Sequence, residues 1–172
     1  MSNKLSNTEI PKSERIPVKR LVSKRDIGIE AFELVNGNLM IEATFLDPYH
    51  LIRLNLQIEP DSKTIVAAIS EYGNYPHTLC PSIAKKANLL VGLQIKRGVL
   101  KEIIKTVGGC DGCVHLKELA IDSINFAATT LIGHDIGLGL MNREFNRQEE
   151  SIIFEKSKNT LKNTCIVYKQ EE

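Results

Sequence analysis

HLIRLNLQIEP, residues 50–60, decides the fold class. Ile52, Leu54, Leu56 and Ile58 alternate with Arg53, Asn55 and Gln57. That period of two marks a strand with one face in a core and the other in water. Leu51 breaks the alternation at its start. Asp61-Ser62 reads as a turn, and TIVAAISEY (64–72) as the return strand. Upstream, IGIEAFELV (27–35) and LMIEATFLD (39–47) flank Asn36-Gly37-Asn38, a strand–turn–strand signal with glycine in the turn. Three or four sequential strands joined by short turns make an antiparallel meander.

The period changes after Pro76. PSIAKKANLLVGL predicts a helix with Ile83, Ala87, Leu90 and Val91 on one face and Pro81 at a first helical position. RGVLKEIIKTV predicts a second, with Val99, Leu100, Ile103, Ile104 and Val107 inward and Gly108-Gly109 ending it. CVHLKELAIDSINFAATTLIG predicts the longest, central helix, turning Leu116, Leu119, Ala120, Ile124, Ala127 and Leu131 to the sheet. Runs of strands followed by runs of helices indicate an α+β domain, a three- to four-stranded antiparallel meander covered by a layer of helices. The Gly-rich stretch after it, with Gly133, Gly137 and Gly139, reads as a loop leading into a short helix; SIIFEKS and TCIVYK read as short strands or helical pieces. The expected organisation is a basic flexible arm over 1–24, the α+β core over 25–135, and a C-terminal extension packing on the core over 136–172.

Charge narrows the function classes. The 172 residues carry 22 Lys+Arg and 21 Asp+Glu, a balance that argues against bulk electrostatic binding of nucleic acid. Residues 1–25 nevertheless hold seven basic side chains against Glu9 and Glu14, so a local +5 sits beside a mildly acidic middle. Nucleic acid or acidic lipid is therefore expected only at this arm, which otherwise reads as a solvated tail. The chain has no Trp, which leaves few platforms for stacking bases. The absence of a long apolar run and of an apolar signal core predicts a cytoplasmic protein with no membrane partner.

Four cysteines and four histidines then need a purpose. The densest cluster is GGCDGCVHLKEL, where Cys110, Cys113 and His115 stand at a predicted helix start. Unpaired backbone N–H groups and the helix dipole favour thiolates there, and C-x-x-C spacing lets two sulfurs reach one metal. Cys80, His50 and His77 are candidates for a further ligand. Ordinary buried thiols are the competing reading. Glu118, one turn after His115, is placed to orient its imidazole. His134-Asp135 is a candidate general-base pair in the Gly-rich loop, and Cys165 a packed or spare thiol.

HLIRLNLQIEPDSKTIVAAI, LCPSIAKKANLLVGLQIKRG and GGCDGCVHLKEL together resemble a bacterial family catalogued as domain of unknown function 2889, over roughly residues 25–131. The resemblance implies His50, Cys80, Cys113 and His115 as the recurrent polar set, leaves Cys110 outside it, and shows Leu51 where the family often carries Asp. A more distant similarity of order and spacing links the chain to iron–sulfur scaffold proteins of the NifU and SufU kind, with His50 standing where the scaffolds have their first cysteine.

Three functions follow as expectations. The first is a metal-binding protein holding zinc, or iron, through His50, Cys80, Cys113 and His115, with a link to metal or sulfur handling. Two imidazole ligands favour zinc over a cluster. The second is a cysteine-dependent enzyme with Cys113 or Cys80 as nucleophile and His115 or His50 as base. The third is an assembly protein, with a protein or small-molecule partner, whose metal only secures the fold.

Overall fold

The computed structural model describes residues 17–135, 151–152, 154–155, 157–158 and 161–170. Strands β1 (Asp26–Glu33), β2 (Leu39–Leu46), β3 (Leu51–Glu59) and β4 (Thr64–Asn74) form one sheet in sequence order, every pair antiparallel. The meander read from the period-two pattern is the observed one. Asn36-Gly37-Asn38 closes the first hairpin: Gly37 N–H donates to the Leu34 carbonyl at 2.8 Å, and Asn36 Oδ1 accepts from Asn38 N–H at 3.1 Å.

The break at Leu51 has a structural cause. Leu51 pairs with Asn74 and Ile52 with Tyr72, which leaves Gly73 as the extra residue of a bulge in β4. A Cβ at Gly73 would come 2.9 Å from Leu51 Cδ2, so a larger residue there would have to displace the Leu51 side chain. The result keeps Ile52, Leu54, Leu56 and Ile58 buried while Leu51 stays half-buried.

The covering layer consists of a 3-10 segment (Cys80–Leu90), α1 (Val99–Val107) and α2 (Val114–Asp135). The expected α-helix after Pro76 is thus corrected to 3-10 geometry. Three residues per turn put Ala87 and Leu90 in one line against the sheet, and Ser70 on β4 donates to the Ala84 carbonyl at 3.0 Å. Val91, read as inward, is instead the extended residue that ends the segment and is exposed. In α1 the buried stripe is Val99, Ile103 and Val107. Ile104 faces water, because this short helix packs through a single i, i+4 row.

All six α2 side chains expected to face the sheet are buried. Each of its Leu and Ile contributes about 1.5–3 kcal/mol of apolar burial, which makes α2 the principal cover of the meander. His134 and Asp135 belong to the last turn of α2 rather than to a loop, a second correction. The loop and short helix expected after them fall largely at 136–150, outside the described residues, as do residues 1–16 of the arm. In the extension, described residues between 151 and 157 are helical and Ile166–Tyr168 form a 3-10 turn. No helix among the described residues is long and apolar enough to cross a membrane.

Candidate metal centre

The last strand residue of β2, the turn after it and the start of α2 meet at one end of the sheet. Leu46 ends β2, and Asp47-Pro48 begins the turn into β3, with Asp and Pro at the positions a type I turn favours. Asp47 Oδ1 accepts the Tyr49 and His50 backbone N–H groups, each at 2.8 Å, and lies 3.0 Å from His50 Nδ1. The turn therefore fixes the His50 ring through contacts within residues 47–50.

His115 arrives from α2. Between the helices, Cys113 N–H donates to the Val107 carbonyl at 3.0 Å, and the Cys113 sulfur accepts Leu116 N–H at 3.5 Å, a cap on the first turn. This tight reversal requires Gly112, because a Cβ there would run into the carbonyl oxygens of Val107 and Gly108. Gly112→Ala is accordingly expected to cost about 1–3 kcal/mol and to displace the start of α2. Urea denaturation checks this; an unchanged midpoint would contradict it.

Phe45, fully buried at the end of β2, is the hinge of the arrangement. Its ring centroid lies 4.9 Å from that of His115 and 6.3 Å, edge-on, from that of His50, and the two imidazole centroids are 4.1 Å apart. On the same ring sits the Arg25 guanidinium, 4.6 Å from the centroid. Arg25 NH1 lies 3.5 Å from Glu118 Oε2, and NH2 lies 3.9 Å from Asp47 Oδ2.

One ligand atom each from Asp47, His50 and His115 falls within 4.8 Å of the other two. The sequence-predicted histidines are therefore brought together. Cys80 and Cys113 are not part of that trio. Both are half-buried near Tyr72, whose buried hydroxyl has the Cys113 sulfur as its polar neighbour. Burial pushes the Tyr72 phenol far up, and the Cys113 and Cys80 thiols push in the same direction. Cys110 and Cys165 are exposed, the latter a spare rather than a packed thiol. His77 is exposed, and its described role is a backbone carbonyl that accepts Cys80 N–H at 2.9 Å. Glu118 meets Arg25 and acts on His115 through its charge.

The electrostatics favour a cation. Burial pushes the Asp47 carboxyl up, but the hydrogen bonds from Tyr49 N–H, the His50 ring and His50 N–H outweigh it and hold the pKa below the usual carboxylate value. His115 is pushed below its ordinary 6.5, first by burial and then by the neighbouring His50, against opposing pulls from Asp47 and Glu118. A neutral imidazole beside an ionised carboxylate is the state that accepts a metal. Below pH 6.5 the unfolded chain takes up a proton at this residue before the folded one does, so the His115 contribution is full above 6.5 and is lost as pH falls through the lowered folded value. Denaturation midpoints from neutral to mildly acidic pH should fall, and His115→Gln should flatten that slope. A slope unchanged by the substitution would contradict the assignment.

Sequence reasoning missed Asp47, Phe45 and Arg25. The Asp-Pro pair was a readable turn signal for the first, whereas Arg25 meets Glu118 across 93 residues and leaves no local trace.

Neither curated proteins nor solved structures provide a match to the chain, so the scaffold likeness rests on order and spacing alone. The family described as "Protein of unknown function (DUF2889)" matches residues 23–129, a span that holds Arg25, Asp47, His50, Cys80, Cys113, His115 and Glu118. The chain belongs to this family.

Proposed function

We propose that the protein binds a single divalent transition metal through Asp47, His50 and His115. The observation that carries this reading is the approach of their three ligand atoms to within 4.8 Å of one another. Two imidazoles and one carboxylate suit zinc and equally iron(II), and are softer than magnesium or calcium prefer. Three protein ligands leave a coordination position open, which is the arrangement of catalytic rather than purely structural sites. Compared with the four-residue set implied by the family resemblance, the two histidines stay and a carboxylate takes the place of the thiolates. We assign the protein to the cytoplasm, where thiols such as Cys80 and Cys113 stay reduced.

Metal content tests the reading. Untagged protein, purified and dialysed under reducing conditions, should retain or take up one equivalent of zinc or iron(II). Protein that carries none and takes up none would sink the proposal.

A second reading, cysteine chemistry at Cys113, is favoured by the Leu116 N–H directed at its sulfur, since a helix N-terminus stabilises a thiolate. It requires Cys113 to be alkylated at neutral pH faster than the exposed Cys110.

A further inference from the structure

We propose that the metal centre binds an oxyanion of a small ligand, a carboxylate or a phosphate, and that Arg25 is the residue that selects it. The inference rests on the metal reading above and adds the ligand class. Arg25 stands immediately before β1, and its side chain is 48% exposed, so one side of the guanidinium faces the ring and another faces solvent. The guanidinium carbon lies 4.6 Å from the centre of the Phe45 ring, a cation–π contact that holds the group beside the two histidines. Among the described residues it donates one side-chain hydrogen bond, to Glu118, at the 3.5 Å limit of such bonds, and its approach to Asp47 at 3.9 Å is longer. A guanidinium has five donors in a planar fork suited to carboxylate and phosphate oxygens, so most of that capacity is left for a ligand.

Charge sets the order of events. Without metal, Asp47 and Glu118 outnumber Arg25 and the site carries a net negative charge, which attracts a cation and repels an anion. A divalent ion reverses the sign. Arg25 NH2 lies 3.9 Å from Asp47 Oδ2, so a metal held by Asp47 and the fork of Arg25 would be close enough to share one oxyanion.

The test uses the full chain loaded with one equivalent of zinc and no excess, titrated calorimetrically with inorganic phosphate in one arm and acetate in another. The expected result is anion binding by the zinc-loaded protein and none by the metal-free protein. Tighter binding in the phosphate arm names a phosphoryl group and tighter binding in the acetate arm a carboxylate; either supports the proposal. Arg25→Ala should weaken that binding roughly tenfold, the lower end for a charged hydrogen-bonding partner at a half-exposed position. Arg25→Lys should recover only part, because the fork is lost. Zinc affinity, measured on the same variants, should be slightly tighter in Arg25→Ala, because one positive charge beside Asp47 is removed. Anion binding that survives Arg25→Ala intact, that occurs equally without metal, or that is absent from the zinc-loaded protein overturns this inference while leaving the metal reading standing. Failure to take up zinc at all overturns both.

Discussion

Replacing His115 by alanine is expected to lower zinc affinity by about a hundredfold or more while the domain remains folded. The magnitude follows from comparison with outer-shell partners, whose loss already costs roughly 10–100-fold, so that loss of a direct ligand costs at least as much. The fold should survive because the imidazole is only half-buried in the first turn of α2, whereas the fully buried row Leu116, Leu119, Ala120 and Ile124 holds the helix on the sheet. Calorimetric titration of zinc, with far-ultraviolet circular dichroism as the control for folding, measures both. His50→Ala should behave alike, with an added effect from the Asp47 carboxylate that then loses its partner. Zinc affinity unchanged in either variant would remove that histidine from the site.

The largest loss of stability is expected from Phe45→Ala. Its ring is fully buried, and truncation of such a side chain costs about 3–5 kcal/mol in lost transfer energy and residual cavity. Against the roughly 5–15 kcal/mol that holds an ordinary domain together, that is a substantial fraction. The ring also touches both imidazoles and carries the Arg25 guanidinium, so zinc affinity should fall along with stability. Urea denaturation gives the first quantity, and zinc titration at low denaturant the second. A shift below about 1 kcal/mol would mean that the core does not depend on this ring.

These two residues illustrate how unevenly the sequence carried its information. Phe45 sits in a strand legible from the Asn36-Gly37-Asn38 turn signal before it, and the six buried positions of α2, from Leu116 to Leu131, were legible from a 3.6-residue period. The 3-10 segment was not. Over 11 residues a period of 3.0 and one of 3.6 place Ala87 and Leu90 inward alike, and what distinguishes them is a hydrogen bond from Ser70, 14 residues away. Ile104 was assigned to the core because the pattern of α1 allows it. Only the narrow contact of a short helix leaves it in water.

The site divides along the same line. His115 stood out in the Cys/His cluster at a predicted helix start, and His50 through the family resemblance. The thiols drew attention by their chemistry, yet the carboxylate that meets the histidines comes from Asp47, hidden in a turn that reads as a connector. Leu51, where the resemblance implied an Asp, looked like a missing acid; Asp47 offers one from four residues earlier in the chain. Arg25 was visible only as the last charge of a basic arm, because its role depends on a strand end, a helix and a ring that tertiary folding alone assembles.

The ligand set is the centre of the account, and X-ray absorption at the zinc edge reads it directly. Coordination by Asp47, His50 and His115 predicts a shell of nitrogen and oxygen neighbours at about 2.0–2.2 Å, with the outer scattering of two imidazoles and no sulfur. A zinc–sulfur shell at about 2.3 Å, lost in the Cys80→Ser or Cys113→Ser variant, would contradict it and return the thiolates to the metal.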